Sequence, residues 1–250
     1  MKYHYVWLAW SSAFLVPWVI VYAAYPRLRM IMRRTSAITA LFGVTEPLFV
    51  PAYWNPPSLF DLAQRTRFDI ESFIFSFAIG GIGVALYTAL SGSFLVPVTI
   101  NQRHEPLHRF HKLGLIAAPI AFVPLALLPW NVIYAVIAAL ALGSVIAVRC
   151  RPHLARATLV GGALFLGLYT IFMLGLTWFA PGYIPQVWNL AALAGGLIAG
   201  IPTEELVFGA VFGMYWSSVY EHVTWSERVS HSVHSQMADG SVNQLLQRKD

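Results

Sequence analysis

The chain has 250 residues, is 58% hydrophobic and only 11% charged, and has a mean hydropathy of +0.63. Soluble domains carry about 25% charged residues, so this composition excludes an ordinary soluble protein and points to a polytopic helical membrane protein. The formal net charge of +5 reads as basic loops at a membrane face and not as a nucleic-acid surface, and the single cysteine, Cys150, excludes an internal disulfide and a four-cysteine zinc site.

A bilayer-crossing helix needs about 20 mostly apolar residues. Spans are expected near 4–24, 33–52, 70–90, 112–129, 131–148, 157–179 and 202–221. The first has no A-x-A-like cleavage site after it and reads as a retained span. Between the second and third, YWNPPSLFDLAQRTRF (53–68) is too polar and proline-rich to cross, and aromatic enough for a membrane interface. Before the fourth, His104, His108 and His111 share a helical spacing that could ligate a metal. Pro106 interrupts that helix, and Arg103, Arg109 and Lys112 suit a lipid headgroup surface better, so no metal site is expected. Residues 186–200 are apolar but short, with 188–199 as their helical part. The Gly200-Ile201-Pro202 break separates them from the last span, so an interfacial or re-entrant half-helix is expected there. From 226 to 250 the composition predicts a disordered tail.

Lys and Arg concentrate in the odd-numbered loops, which puts those loops and the C-terminus in the cytoplasm and the N-terminus outside. The expected location is the cell inner membrane. The third and seventh spans open alike: FDIESFIFSFAIGGIGVALY (68–87) aligns without a gap on IPTEELVFGAVFGMYWSSVY (201–220). Glu71 then pairs with Glu204, Phe75 with Phe208 and Tyr87 with Tyr220, while Trp54-Asn55 and Trp188-Asn189 precede the acids. The expected fold is all-α, with about seven transmembrane helices in two parallel three-helix repeats joined by a connector helix. The segments are 1–92, a connector over 93–130, 131–225 with the P-T-E-E motif, and the tail 226–250.

Charged residues at a helix centre cost about 2.5–3.5 kcal/mol on insertion scales, and less near an end. Glu46, Glu71, Glu204 and Glu205 all fall at or just inside the outer boundary, with Asp69 at its edge. Asp69 and Pro202 read as ordinary helix-start residues. Glu204 and Glu205 are adjacent and point about 100° apart, so at least one must face the bundle interior. A protonated buried acid beside a second carboxylate is a general acid/base pair. The chain has no G-x-G-x-x-G after a strand, no Walker loop, no H-E-x-x-H and no D-D-x-x-D cluster, so no cofactor is expected.

At PTEELVF (202–208) the chain resembles the membrane-embedded, FAD-independent lycopene cyclase domain family, marked by P-x-E-E at the start of a span. TEPLFVPAYWNPPSLFDLAQRTRFDIESFIFSF (45–77) is similar to the companion repeat of one-chain members, so the resemblance covers roughly 40–222. One departure is that Tyr87-Thr88 stands where the second repeat has Tyr220-Glu221. The resemblance implies a carotenoid or isoprenoid cyclase. An acid protonates C2 of the terminal C1=C2 bond of a lycopene-like ψ end, the C5=C6 bond attacks the C1 cation, and loss of a ring proton gives the β end group without net redox change. It implies Glu204 and Glu205 as the acid/base centre, Glu71 as the matching repeat acid and Glu46 as a supporting one. Phe75, Phe208, Trp54 and Trp188 are candidate cation-facing aromatics, with apolar packing and interface anchoring as the alternative. The expected partners are an apolar isoprenoid substrate and membrane lipid, with no nucleic acid and with a homo-oligomer left open. Two rival readings stand beside it: a small-solute or proton-coupled transporter, and a non-catalytic membrane protein that binds lipid or a partner.

Overall fold

The computed structural model of the chain describes residues 3–97 and 111–229. Among them, four helices are long and apolar enough to cross a membrane: Val6–Ala24, Ile70–Ser91, Val132–Cys150 and Leu154–Phe179. The first consists of α1 (Val6–Ala13) and α2 (Leu15–Ala24), interrupted at the buried Phe14. The expected span over 33–52 is not one α-helix. It is α3 (Arg29–Ala40) followed by a 3-10 stretch, Leu41–Leu48, that contains Pro47. Proline has no amide hydrogen to give and its ring crowds the carbonyl four residues back, so the α pattern ends before it. A short α4 (Leu62–Thr66) lies in the 53–68 stretch.

Helix α5 (Ile70–Ser91) starts where Asp69 accepts the Ser72 amide at 2.5 Å, the helix-start role read from the sequence. It ends at Gly92, whose positive φ lets the chain turn into β1 (Phe94–Pro97). Helix α6 (His111–Ala126) carries Pro119 and Pro124, and its apolar part, Ile116–Ala126, is shorter than a full span. Then come α7 (Val132–Cys150), capped by Asn131, α8 (Leu154–Phe179) and α9 (Tyr183–Val187). The half-helix expected over 188–199 is absent. A 3-10 turn at Leu190–Ala192 leads instead into a tight hairpin of β2 (Leu197–Ile198) and β3 (Ile201–Pro202). Gly195-Gly196 and the positive φ of Ala199 and Gly200 favour a turn over a helix here. Helix α10 (Thr203–Thr224) follows, and β4 (Ser226–Val229) pairs antiparallel with β1. The expected disordered tail therefore begins with four ordered residues; 230–250 lie outside the described residues.

Helices α5 and α10 run the same way. Their first turns lie at the end where Trp54 meets Trp188, Gly83 of α5 faces Phe212 and Trp216 of α10 midway, and their far ends lead into the paired β1 and β4. Helices in lipid gain little from apolar contact alone and pack closely through small residues. A Cβ on Gly213 would lie 2.7 Å from the Gly161 carbonyl oxygen, which sets how closely α8 and α10 cross. Where the acids sit, the core is aromatic: Trp7, Phe14, Phe75, Tyr169 and Phe172 contact one another.

Candidate active site

The β2–β3 hairpin fixes how α10 begins. The Thr203 amide and hydroxyl both donate to the Gly196 carbonyl, at 3.0 and 2.8 Å. The next two residues, Glu204 and Glu205, leave the first turn in different directions and meet different partners. Both are buried.

Glu205 faces the bundle interior. Its Oε1 accepts from the Tyr53 hydroxyl at 2.5 Å and the Trp188 indole N–H at 2.9 Å, and its Oε2 accepts from the Tyr169 hydroxyl at 2.5 Å. The three donors come from the 53–55 loop, α8 and the turn after α9. Burial, and then the Glu205 carboxylate, push the Tyr53 phenol well above its ordinary value, so it remains a donor. Phe75 and Phe208 pack on the Tyr169 ring, with centroids 6.3 and 5.9 Å away.

Glu204 faces outward, toward α7. Its Oε1 accepts from the Tyr134 hydroxyl at 2.6 Å and the Gly195 amide at 2.7 Å, and the Ala194 amide donates to that hydroxyl at 2.7 Å. Oε2 has no hydrogen-bond partner among the described residues. Glu204 lines a groove of about 300 Å³ with Tyr134, Ile137, Ala194, Gly195, Thr203 and Val207. Its lining is mostly apolar, and Val207 and the adjoining Leu197 and Ile198 are exposed. Glu204 and Glu205 thus open onto two different surroundings, and none of Phe75, Phe208, Trp54 and Trp188 lines the groove.

The first half of the chain supplies the other acids. Glu71 is fully buried; its Oε1 accepts the Leu59 amide at 2.7 Å, and its Oε2 has no partner among the described residues. Glu46 accepts the Trp54 indole N–H at 2.8 Å. Trp54 and Trp188 meet with centroids 5.3 Å apart, and their strands join through Asn55 N–H to Val187 O and Asn189 N–H to Tyr53 O. The two tryptophans therefore each hold a carboxylate as well as anchoring the loops to each other. Burial pushes the Asp69 carboxyl up, and burial followed by Asp69 and Glu71 does the same to the Tyr183 phenol.

Sequence reasoning missed Tyr53, Tyr134 and Tyr169. The available signal was general: a tyrosine in an apolar span still needs a partner for its hydroxyl. It also missed the polar network at the far end. There Glu221, fully buried, lies 3.0 Å from Arg228, 3.7 Å from His153 and 4.0 Å from Arg151, while the Arg228 Nε donates to Thr88 at 3.1 Å. Thr88 and Glu221, which fall at the same place in the ungapped alignment, thus engage the same arginine. Of the three histidines weighed as metal ligands, His104 and His108 lie outside the described residues, and His111 is buried at the start of α6 near His222.

These features define a helical bundle with membrane-length apolar helices and a set of buried carboxylates gathered at one end. Residues 131–223 match the family model described as lycopene cyclase. The match supports a carotenoid cyclase at the family level, and that family implies an apolar carotenoid substrate. The match takes in Tyr134, Tyr169, Trp188, Glu204, Glu205 and Phe208 and leaves Glu46, Tyr53, Trp54, Glu71 and Phe75 outside it. No curated protein and no solved structure matches the chain.

Proposed function

We propose that the chain cyclises the ψ end of a lycopene-like carotenoid by proton transfer inside the membrane, with Glu204 as the reacting acid. The observation that carries this reading is the Glu204 carboxyl itself: it is buried, lines an apolar groove, and has one oxygen held by two donors and the other without a partner. The volume lies at the lower edge of the roughly 300–1,000 Å³ found for small-molecule sites. The end group enters the groove while the polyene stays along the exposed apolar face. Protonated Glu204 gives its proton to C2. The C5=C6 bond closes onto the C1 cation, and the resulting ring cation returns the C6 proton to the Glu204 carboxylate. Atoms and electrons balance: the product is an isomer of the substrate. Tyr134 O–H and Gly195 N–H stabilise the carboxylate left behind, and they are in place before the reaction begins.

Glu205 acts differently in this reading. Its two oxygens already receive three donors, so it holds Tyr53, Tyr169 and Trp188 in position behind the site. Glu71, Glu46, Trp54 and Trp188 support the same end of the bundle, and Phe75 and Phe208 orient Tyr169. The helices cross the cell inner membrane with the acids near the outer face, the N-terminus outside and the C-terminus in the cytoplasm.

The experiment is expression in cells that accumulate lycopene, with their carotenoids separated by chromatography and detected by mass. A product of unchanged mass and shifted retention is expected from the wild type. Glu204→Gln should reach the membrane at the same level and give none. Product formation by Glu204→Gln at the wild-type rate would remove Glu204 from the mechanism, and unaltered lycopene with folded wild-type protein would remove this substrate.

A further inference from the structure

At the end of the bundle opposite the carboxylates, three buried side chains of metal-ligating type converge. His111 opens α6, Cys150 closes α7 and His222 lies in the last turn of α10. One ligand atom from each, two imidazole nitrogens and the thiol sulfur, can be chosen so that all lie within 4.8 Å of one another. No other such group of three or more histidine, cysteine, aspartate or glutamate residues occurs among the described residues.

We propose that His111, Cys150 and His222 form a zinc site that ties α6, α7 and α10 together. Around tetrahedral zinc, with bonds of about 2.0–2.3 Å, ligand atoms sit roughly 3.3–3.8 Å apart. The observed spread exceeds this by about 1 Å. The donor chemistry suits the ion: two imidazoles and one thiolate are the mixed nitrogen and sulfur set that zinc takes, while calcium and magnesium take oxygen ligands. The surroundings suit it too. The His111 and His222 rings lie parallel with centroids 5.0 Å apart, and His111 stacks on Trp225 at 3.6 Å, so both imidazoles are held in a dry, packed setting. Arg151, next in the chain to Cys150, is buried and donates to the Ser226 carbonyl at 2.7 Å, which fixes the end of α7 against the residues that follow α10.

Each ligand comes from a separate helix, so occupancy would staple three helix ends without help from lipid. This fits the makeup of α6, whose Pro119 and Pro124 each remove a helix hydrogen bond and whose apolar part is short. The site lies apart from the Glu204 groove and shares no residue with it, so the proposal stands whether or not the cyclase reading does.

The test uses the full chain purified in detergent micelles. After zinc loading and desalting, elemental analysis should find about one zinc per chain, falling to background in Cys150→Ser and His222→Ala. Loading the wild type with cobalt(II) should give a near-ultraviolet sulfur-to-cobalt charge-transfer band, which only a bound thiolate produces. Cys150 is the sole cysteine, so the band has one source. Circular dichroism and size-exclusion profiles report whether each sample is folded. Folded wild type that shows no zinc and no cobalt–thiolate band would overturn the proposal, as would zinc retained by both variants. The wild-type cobalt spectrum decides the matter even if the variants do not fold.

Discussion

Replacing Gly195 with alanine adds one methyl group beside the proposed acid and leaves every polar group in place. Gly195 is exposed in the loop before β2, and its backbone does not need a positive φ, so alanine is allowed there. The new Cβ would lie 2.9 Å from both Glu204 carboxylate oxygens and 2.9 Å from Thr203 Cβ. Ordinary contact begins near 3.4 Å, so the carboxylate must retreat by about 0.5 Å. That movement lengthens the bonds from Tyr134 O–H and Gly195 N–H, now 2.6 and 2.7 Å. Losing the equivalent of one charge-assisted hydrogen bond costs about 1.5–3 kcal/mol. If the loss falls on the transition state, cyclisation slows about 10- to 150-fold. Gly196→Ala is the matched control, because a Cβ there meets nothing within 4 Å. Conversion of lycopene to a product of equal mass, normalised to protein in the membrane, reads both variants. Gly195→Ala within twofold of wild type, or Gly196→Ala equally impaired, would refute the role given to Glu204.

Tyr169→Phe should destabilise the protein more than Tyr53→Phe. The first leaves Glu205 Oε2 without a donor, while after the second Trp188 still serves Oε1; thermal melts in micelles should separate the two, with about 1–3 kcal/mol lost in Tyr169→Phe. Asp69→Asn keeps an acceptor for the Ser72 amide and removes a carboxyl whose folded value burial raises. A raised folded value means the wild type loses stability as pH climbs from the ordinary carboxylate range of about 4 through the folded value. The variant should therefore melt higher at neutral pH and match the wild type below about pH 4; an advantage that grows on acidification would contradict this. Gly213→Val forces side-chain atoms into the Gly161 carbonyl and Phe165, and should cost at least about 1–3 kcal/mol in a melt. Gly167→Ala, where an added Cβ meets nothing within 4 Å, should be close to neutral.

Much of the bundle was legible because long apolar helices follow simple rules of sequence. Runs of apolar residues marked the helices at 6–24, 70–91, 132–150 and 154–179. The P-T-E-E motif marked the start of α10, and Asp69 marked the start of α5. What the sequence hid depends on contacts between distant residues. Apolarity over 188–199 could not tell a half-helix from a hairpin, because that choice turns on Gly195-Gly196 and on the backbone groups that Tyr134 and Glu204 recruit. Adjacency of Glu204 and Glu205 suggested one acid/base pair, yet the helical turn sends them to separate partners. Tyr53 lies 152 residues from Glu205 in the chain, and His111, Cys150 and His222 come from three helices. No local spacing could reveal either set.

The two acids that match in the ungapped alignment differ in their surroundings, which supports the proposal that only one of them reacts. Glu71 and Glu204 occupy the same place in the ungapped alignment, and each accepts a loop amide at 2.7 Å on Oε1 while its Oε2 has no partner among the described residues. The next position differs. Ser72 stands where Glu205 stands, and the carboxylate that serves the first tryptophan comes from Glu46 instead. Surroundings then separate the pair further: Glu71 is sealed at 0% exposure, whereas Glu204 has Tyr134 beside it and borders a groove that opens onto exposed apolar residues. A proton donor to a membrane-dissolved polyene needs three things at once: a fixed orientation, a free oxygen and a path from lipid. Glu71 has the first two. In the proposed mechanism Glu204 has all three, and the small size of Gly195 is what leaves its carboxylate room to stand at the groove.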